Sequence, residues 1–226
     1  MSSRQDFERD LATLMSKFSK TTTQEEQKKL NILRDWLLEL RKQNLVKINH
    51  SVMELVCAKY LVEKNYEVQL EYQLSDLLTC DVYGTKGLGN LIIEIETGFI
   101  PPESALAPMN YTSARLASKI IRYSSFAGKF ALGVPPHYVL PFPRALAKPP
   151  RNRTNEEISQ IKKLCDAYYQ NPPVKLEEIR NARIQEIYII DVDHVAVTEV
   201  DPETYQNRAI KRGIVYDYMP AESKEP

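Results

Sequence analysis

What the chain lacks narrows the field first. Its three cysteines, Cys57, Cys80 and Cys165, lie far apart with no CxxC pair. That spacing indicates neither a disulfide framework nor a zinc knuckle, and each cysteine reads as a small buried hydrophobe. No apolar run approaches the roughly 20 residues that cross a bilayer. The first residues also lack the apolar core of a signal peptide, so no membrane partner and a cytoplasmic, intracellular location are expected. Gly84, Gly87 and Gly89 do not open a helix, which leaves a phosphate-binding loop, and with it a nucleotide cofactor, without support. His50 and His137 are isolated from any serine or cysteine nucleophile pattern. The chain shows no internal repeat.

Acidic side chains are missing from one long stretch. Between Glu103 and Glu156, 52 residues carry eight Lys or Arg and no Asp or Glu, leaving 22 basic and 30 acidic residues elsewhere in a chain of zero formal net charge. Segregation on this scale suggests a surface that meets a polyanion, while pairing with acids elsewhere in the fold would consume the same charges. The size, 226 residues with 43% hydrophobic and 27% charged, suits one globular domain with a helical extension.

Hydrophobic spacing sets out the elements. Phe7, Leu11, Leu14 and Phe18 predict an amphipathic helix over 4–20. Thr23 and Glu26 form a capping box that opens a second helix to about Gln43, striped by Leu30, Leu33, Trp36, Leu37 and Leu40. A third helix is expected over 50–64, then a strand over 67–72 and a hairpin with arms 78–84 and 90–97. Prolines make 98–109 a loop; a helix over 111–126 and a strand over Phe130–Val134 follow. The proline-rich, basic connection 140–153 is not expected to be helical. Thr154 and Glu157 cap another helix to about Tyr169, with a short helix over 174–180 and two strands over 184–192 and 195–200. The expected fold class is α/β, a central mixed sheet flanked by helices. The expected organisation is an N-terminal helical extension (1–48), a core (49–200) and a loose C-terminal tail (201–226).

The hairpin carries carboxylates where buried strands are apolar: Asp81 on the first arm, Glu94 and Glu96 on the second. Alternation puts Glu94 and Glu96 on one face, and pairing can bring Asp81 beside them. Buried together, they need a cation, a proton or a basic partner. Ile-Glu-Ile-Glu equally fits a half-exposed sheet whose carboxylates face water. Glu54 reads either as the closing member of a capping box with Ser51 or as a residue inside the helix. Asp191, Asp193 and His194 crowd one turn that could hold a metal, although turns favour Asp in any case.

A helix bearing Glu54, a strand, a hairpin bearing Asp81 in Cys80-Asp81 and Glu94 in Ile93-Glu94-Ile95-Glu96, then a helix and a strand, resembles the PD-(D/E)XK nuclease superfamily. The resemblance covers about residues 50–135. It looks closest to Holliday-junction-resolvase-like nucleases of archaea and archaeal viruses, with a similar Glu-x-Glu-Thr-Gly before a helix like Tyr111–Lys119. It implies a restriction-endonuclease-like core and a metal-dependent endonuclease acting on DNA, duplex or branched. Asp81, Glu94 and the backbone carbonyl of Ile95 would hold Mg²⁺ or Mn²⁺, with Glu54 supporting a second ion or orienting a water. The family's lysine position is occupied by Glu96. The lysine's work would then pass to Lys119, or Glu96 would join the metal site, or cleavage would be lost and a nucleic-acid-binding or assembly protein remain. Arg115, Arg122, Lys148, Arg151 and Arg153 are the expected phosphate contacts. A homodimer is expected, since cutting two strands suits two related sites.

Overall fold

A computed structural model of the chain describes residues 3–46 and 48–213. Helices α1 (Ser3–Phe18), α2 (Gln24–Lys42) and α3 (Ile48–Glu63) precede strands β1 (Glu67–Ser75), β2 (Leu78–Lys86) and β3 (Gly89–Ile95). Then come α4 (Pro108–Tyr123), β4 (Lys129–Val134), α5 (Arg144–Ala147), α6 (Asn155–Asp166) and α7 (Leu176–Asn181). Strands β5 (Glu186–Asp191) and β6 (Ala196–Val200) and helix α8 (Pro202–Lys211) complete the described chain. Six strands form one mixed sheet in the order β1-β2-β3-β4-β5-β6. The α/β class with a central mixed sheet is therefore the one the pattern predicts.

Two compact units are present. The first comprises the chain up to Thr97 with Leu132–Pro136 and Tyr188–Glu199; the second comprises Gly98–Ala131, His137–Ile187 and the chain from Val200 on. The N-terminal helices belong to the first unit with the hairpin. Phe7, Leu11, Leu14 and Phe18 of α1 are buried, as are Leu30, Leu33, Leu37 and Leu40 of α2. Trp36 departs from that stripe. It is 45% exposed, and its indole N–H donates to the Leu70 carbonyl at 3.0 Å, which occupies an acceptor on edge strand β1.

Local chemistry explains the element boundaries. In α2, the Thr23 hydroxyl accepts from the Glu26 N–H and the Glu26 carboxylate accepts from the Thr23 N–H; Thr154 and Glu157 repeat this at α6. The β2–β3 register runs from Lys86↔Gly89 to Val82↔Ile93, so Gly87 and Leu88 form a two-residue turn. Gly87 has φ +58°, which a first turn position of this kind requires.

Three expectations change. Residues 201–213, within the expected C-terminal tail, contain α8, whose N-cap Asp201 accepts from the Thr204 N–H and whose Tyr205, Gln206 and Ala209 are buried; residues 214–226 lie outside the described chain. The connection 140–153 contains one helical turn, α5, and a 3₁₀ turn at Pro150–Asn152. Because α3 begins at Ile48, Glu54 lies inside the helix and does not close a capping box with Ser51.

A candidate metal centre at the fork between two strands

His50 and Glu54 are four residues apart on α3 and therefore share a face. Glu54 is fully buried, and neither carboxylate oxygen has a hydrogen-bond partner among the described residues. His50 is half-buried, with Nε2 3.3 Å from the Thr97 hydroxyl.

Asp81 and Glu94 meet where two strands part. Ladder pairing of β2 with β3 stops at Val82↔Ile93, while the Glu96 N–H donates to the Gly133 carbonyl of β4 at 2.8 Å. The fork deprives nearby amides of ladder partners, and side chains replace them. The Asp81 carboxylate accepts from the Ile95 N–H at 2.5 Å, and the Glu94 carboxylate accepts from the Asp81 N–H at 3.1 Å. Each acid is thus held by the other's strand. Residues 91–95 are all buried, and Glu94 and Glu96 are 2% and 3% exposed. The picture of a half-exposed sheet with carboxylates in water does not hold for β3.

A third strand adds charge. Glu71 of β1 falls between the pairs Leu70↔Val82 and Tyr72↔Cys80, level with Asp81, and has φ +49°. Burial first, then the charges of Asp81, Glu71 and Glu94, hold the Glu54 carboxyl well above the usual carboxylate range.

One ligand atom from each of His50, Glu54 and Asp81 lies within 4.8 Å of the other two. Three ligands at about 2.1 Å from one ion stand about 3.0–3.6 Å from one another, so the three groups would draw together to share a cation. The donor set fits such an ion on a second ground. A buried carboxylate with two unpartnered oxygens among like charges lacks a countercharge, and a divalent cation supplies one.

The other expected site residues are distributed as follows. The Ile95 amide anchors Asp81, and the side chain is buried. Lys119 is half-buried on α4 in the second unit. On the same helix, Arg115 donates to the Phe99 carbonyl at 2.9 Å and Arg122 to the Pro172 carbonyl at 2.7 Å. Lys148 is ion-paired with Glu157, and Lys129 with Glu186 at 3.6 Å, so part of the charge of the acid-free stretch is neutralised locally. Arg144 and Arg151 are exposed.

Arg153 is not a phosphate contact. It is 6% exposed, and its guanidinium donates to the carbonyls of Ala145, Leu146, Lys148, Ile179, Arg180 and Ala182. At the turn after β5, Asp191 binds the His194 backbone N–H at 3.0 Å and its ring Nδ1 at 2.8 Å, an arrangement the turn itself explains.

No family model, no curated protein and no solved structure matches the chain. Sequence reasoning missed two members of the site. His50 carried a readable signal, its four-residue spacing from Glu54 on an expected helix. Glu71 carried none, because only the strand register aligns it with Asp81.

Proposed function

We propose that the chain is a metal-dependent nuclease that hydrolyses phosphodiester bonds of DNA, built on a PD-(D/E)XK-like core. The observation that carries this reading is the convergence of Glu54, Asp81 and Glu94 at the β2–β3 fork, with Glu54 buried and unpartnered. Their order on helix, first hairpin arm and second hairpin arm is the order the resemblance requires. The α3-β1-β2-β3-α4-β4 succession supports the same reading.

His50, Glu54 and Asp81 would hold the ion, with Glu94 orienting Asp81. A bound divalent cation supplies charge stabilisation and an acidified water for phosphoryl chemistry. The imidazole among the donors favours Mn²⁺ over Mg²⁺, since nitrogen ligands suit the softer ion. In this chain the carboxylates of Asp81 and Glu94 are pre-positioned by backbone amides, so little reorganisation accompanies loading. Exposed Arg144 and Arg151 are assigned the contact with backbone phosphates.

A second reading, a nucleic-acid-binding protein that does not cleave, is favoured by Glu96 at the lysine position. Cleavage assays on single-stranded, duplex and branched DNA and on RNA, with Mn²⁺ or Mg²⁺, separate the two. The nuclease reading expects cutting that Asp81→Ala and Glu54→Gln abolish. Salt-sensitive binding without cutting of any substrate supports the second reading and overturns the first.

A further inference from the structure

The second unit carries a surface that the metal centre does not use. Tyr111 and Arg115 share a face of α4, with the guanidinium carbon 5.8 Å from the Tyr111 ring centroid. Two further tyrosines follow the end of α6. Tyr168 meets the Tyr111 ring edge-on at 5.9 Å, and Tyr169 lies tilted against it at 6.5 Å. All three tyrosines are only partly buried. Arg115 also holds the Phe99 carbonyl, leaving the Phe99 side chain 62% exposed. The backbone before Phe99 is seated: Gly98 has φ +81°, and a Cβ there would lie 2.6 Å from the Tyr138 ring.

The sequence around Tyr111 and Arg115 carries charge of one sign. Residues 104–155 contain no acid, and Asp166, two residues before Tyr168, is ion-paired with Lys162. Aromatic faces interleaved with a guanidinium suit a ligand that offers both flat π-surfaces and phosphates. Bases inside a duplex are stacked on each other, so only unpaired bases present free faces to such a surface.

We propose that Tyr111, Tyr168, Tyr169 and Phe99 form a stacking platform for unpaired nucleobases, with Arg115 beside them for the phosphate. The proposal rests on the nuclease reading for its ligand class and narrows the substrate to DNA with single-stranded character.

The test is binding of a short labelled DNA single strand, measured by fluorescence anisotropy in EDTA across a salt series. A matching duplex and an abasic strand with the same number of phosphates serve as comparisons. The wild-type protein binds the base-bearing strand more tightly than either. Replacing Tyr168 and Tyr169 together by Leu weakens that binding by about 5- to 100-fold, as loss of base stacking does. The salt slope stays unchanged, and replacing both by Phe keeps the affinity. Arg115→Gln lowers the salt slope. The abasic comparison needs no substitution, so it stands even where the Leu variant folds poorly. Equal affinity for abasic and base-bearing strands overturns the platform. So does a wild-type dimer, seen by sedimentation, that the Leu variant dissociates, since the surface is then a protein interface. Base-dependent binding with no cleavage of any substrate leaves the platform standing and removes the metal-dependent chemistry instead.

Discussion

Replacing Glu54 by Gln should stabilise the metal-free protein at neutral pH, although it removes a charged group from the interior. The buried carboxyl has no hydrogen-bond partner among the described residues and sits among the charges of Asp81, Glu71 and Glu94. Its proton affinity in the folded state is therefore raised above its ordinary value of 4.5. The folded protein keeps this proton at pH values where the unfolded chain has released it. Stability from this group is full below 4.5 and falls as the pH rises through the folded carboxyl's own titration.

Gln keeps the shape and carries no charge. Removing a buried, unsatisfied carboxyl and the cost of keeping it protonated recovers about 1–3 kcal/mol, which for a chain of this size raises Tm by about 3–10 °C. The assay is thermal unfolding by circular dichroism between pH 4 and pH 8 in EDTA, repeated with Mn²⁺. In EDTA the wild-type Tm declines with rising pH relative to the variant, and the two converge at the acid end. With Mn²⁺ at about 100 times its Kd, the wild type gains about 2.7 kcal/mol and the variant gains far less. A variant that melts no higher than wild type in EDTA at neutral pH refutes the claim of an uncompensated carboxyl. Equal metal-induced shifts in both proteins refute its assignment as a ligand.

Arg153→Met should cost about 3–5 kcal/mol in urea unfolding, because carbonyls from two separate chain segments lose their donor. It should leave the salt slope of DNA binding untouched; a lowered slope at unchanged stability would return Arg153 to the phosphate contacts. Burial and then neighbouring carboxylates push the Cys57 and Cys80 thiols far up, and burial carries Cys165 to about 12. None of the three should react with a thiol reagent at pH 8 before unfolding, and one fast equivalent counts against the packing described. Gly98→Ala should lose about 1–3 kcal/mol in chemical denaturation, from left-handed backbone strain and the clash with Tyr138. Unchanged stability would show that the start of the loop is not held as described.

What could be read from the sequence is what local chemistry decides. The capping boxes at Thr23 and Thr154 each satisfy helix amides within four residues, so their letters suffice. The hairpin is legible for the same reason, with the glycine at its turn. The α8 helix was also written locally, in Asp201 followed by Pro202 and Glu203. Its charged composition made it look like a tail, and only the burial of Tyr205 and Gln206 explains why it persists.

The site was legible in part, and the open reading of Glu54 and the wrong one of Arg153 have one physical origin. Glu54 and Arg153 are both charged residues that the fold buries, and nothing in neighbouring letters distinguishes a buried charge from a solvated one. Arg153 sits in a basic, proline-rich stretch and looks like a phosphate ligand, but the acceptors it serves at Ile179 and Ala182 come from sequence separations of 26 and 29 residues. For Glu54 the ambiguity was sharper, because Ser51-x-x-Glu54 is letter for letter a capping box. Only the start of α3 at Ile48, four residues earlier than that box needs, turns the side chain inward. The two burials also differ in kind. The Arg153 guanidinium is fully engaged, so its charge is used up by the fold, whereas both Glu54 oxygens are left over. A protein keeps a used charge for stability. An unused one, placed against Asp81 and His50, weakens the fold unless something outside the chain completes it, and this is why the assignment of function rests on Glu54.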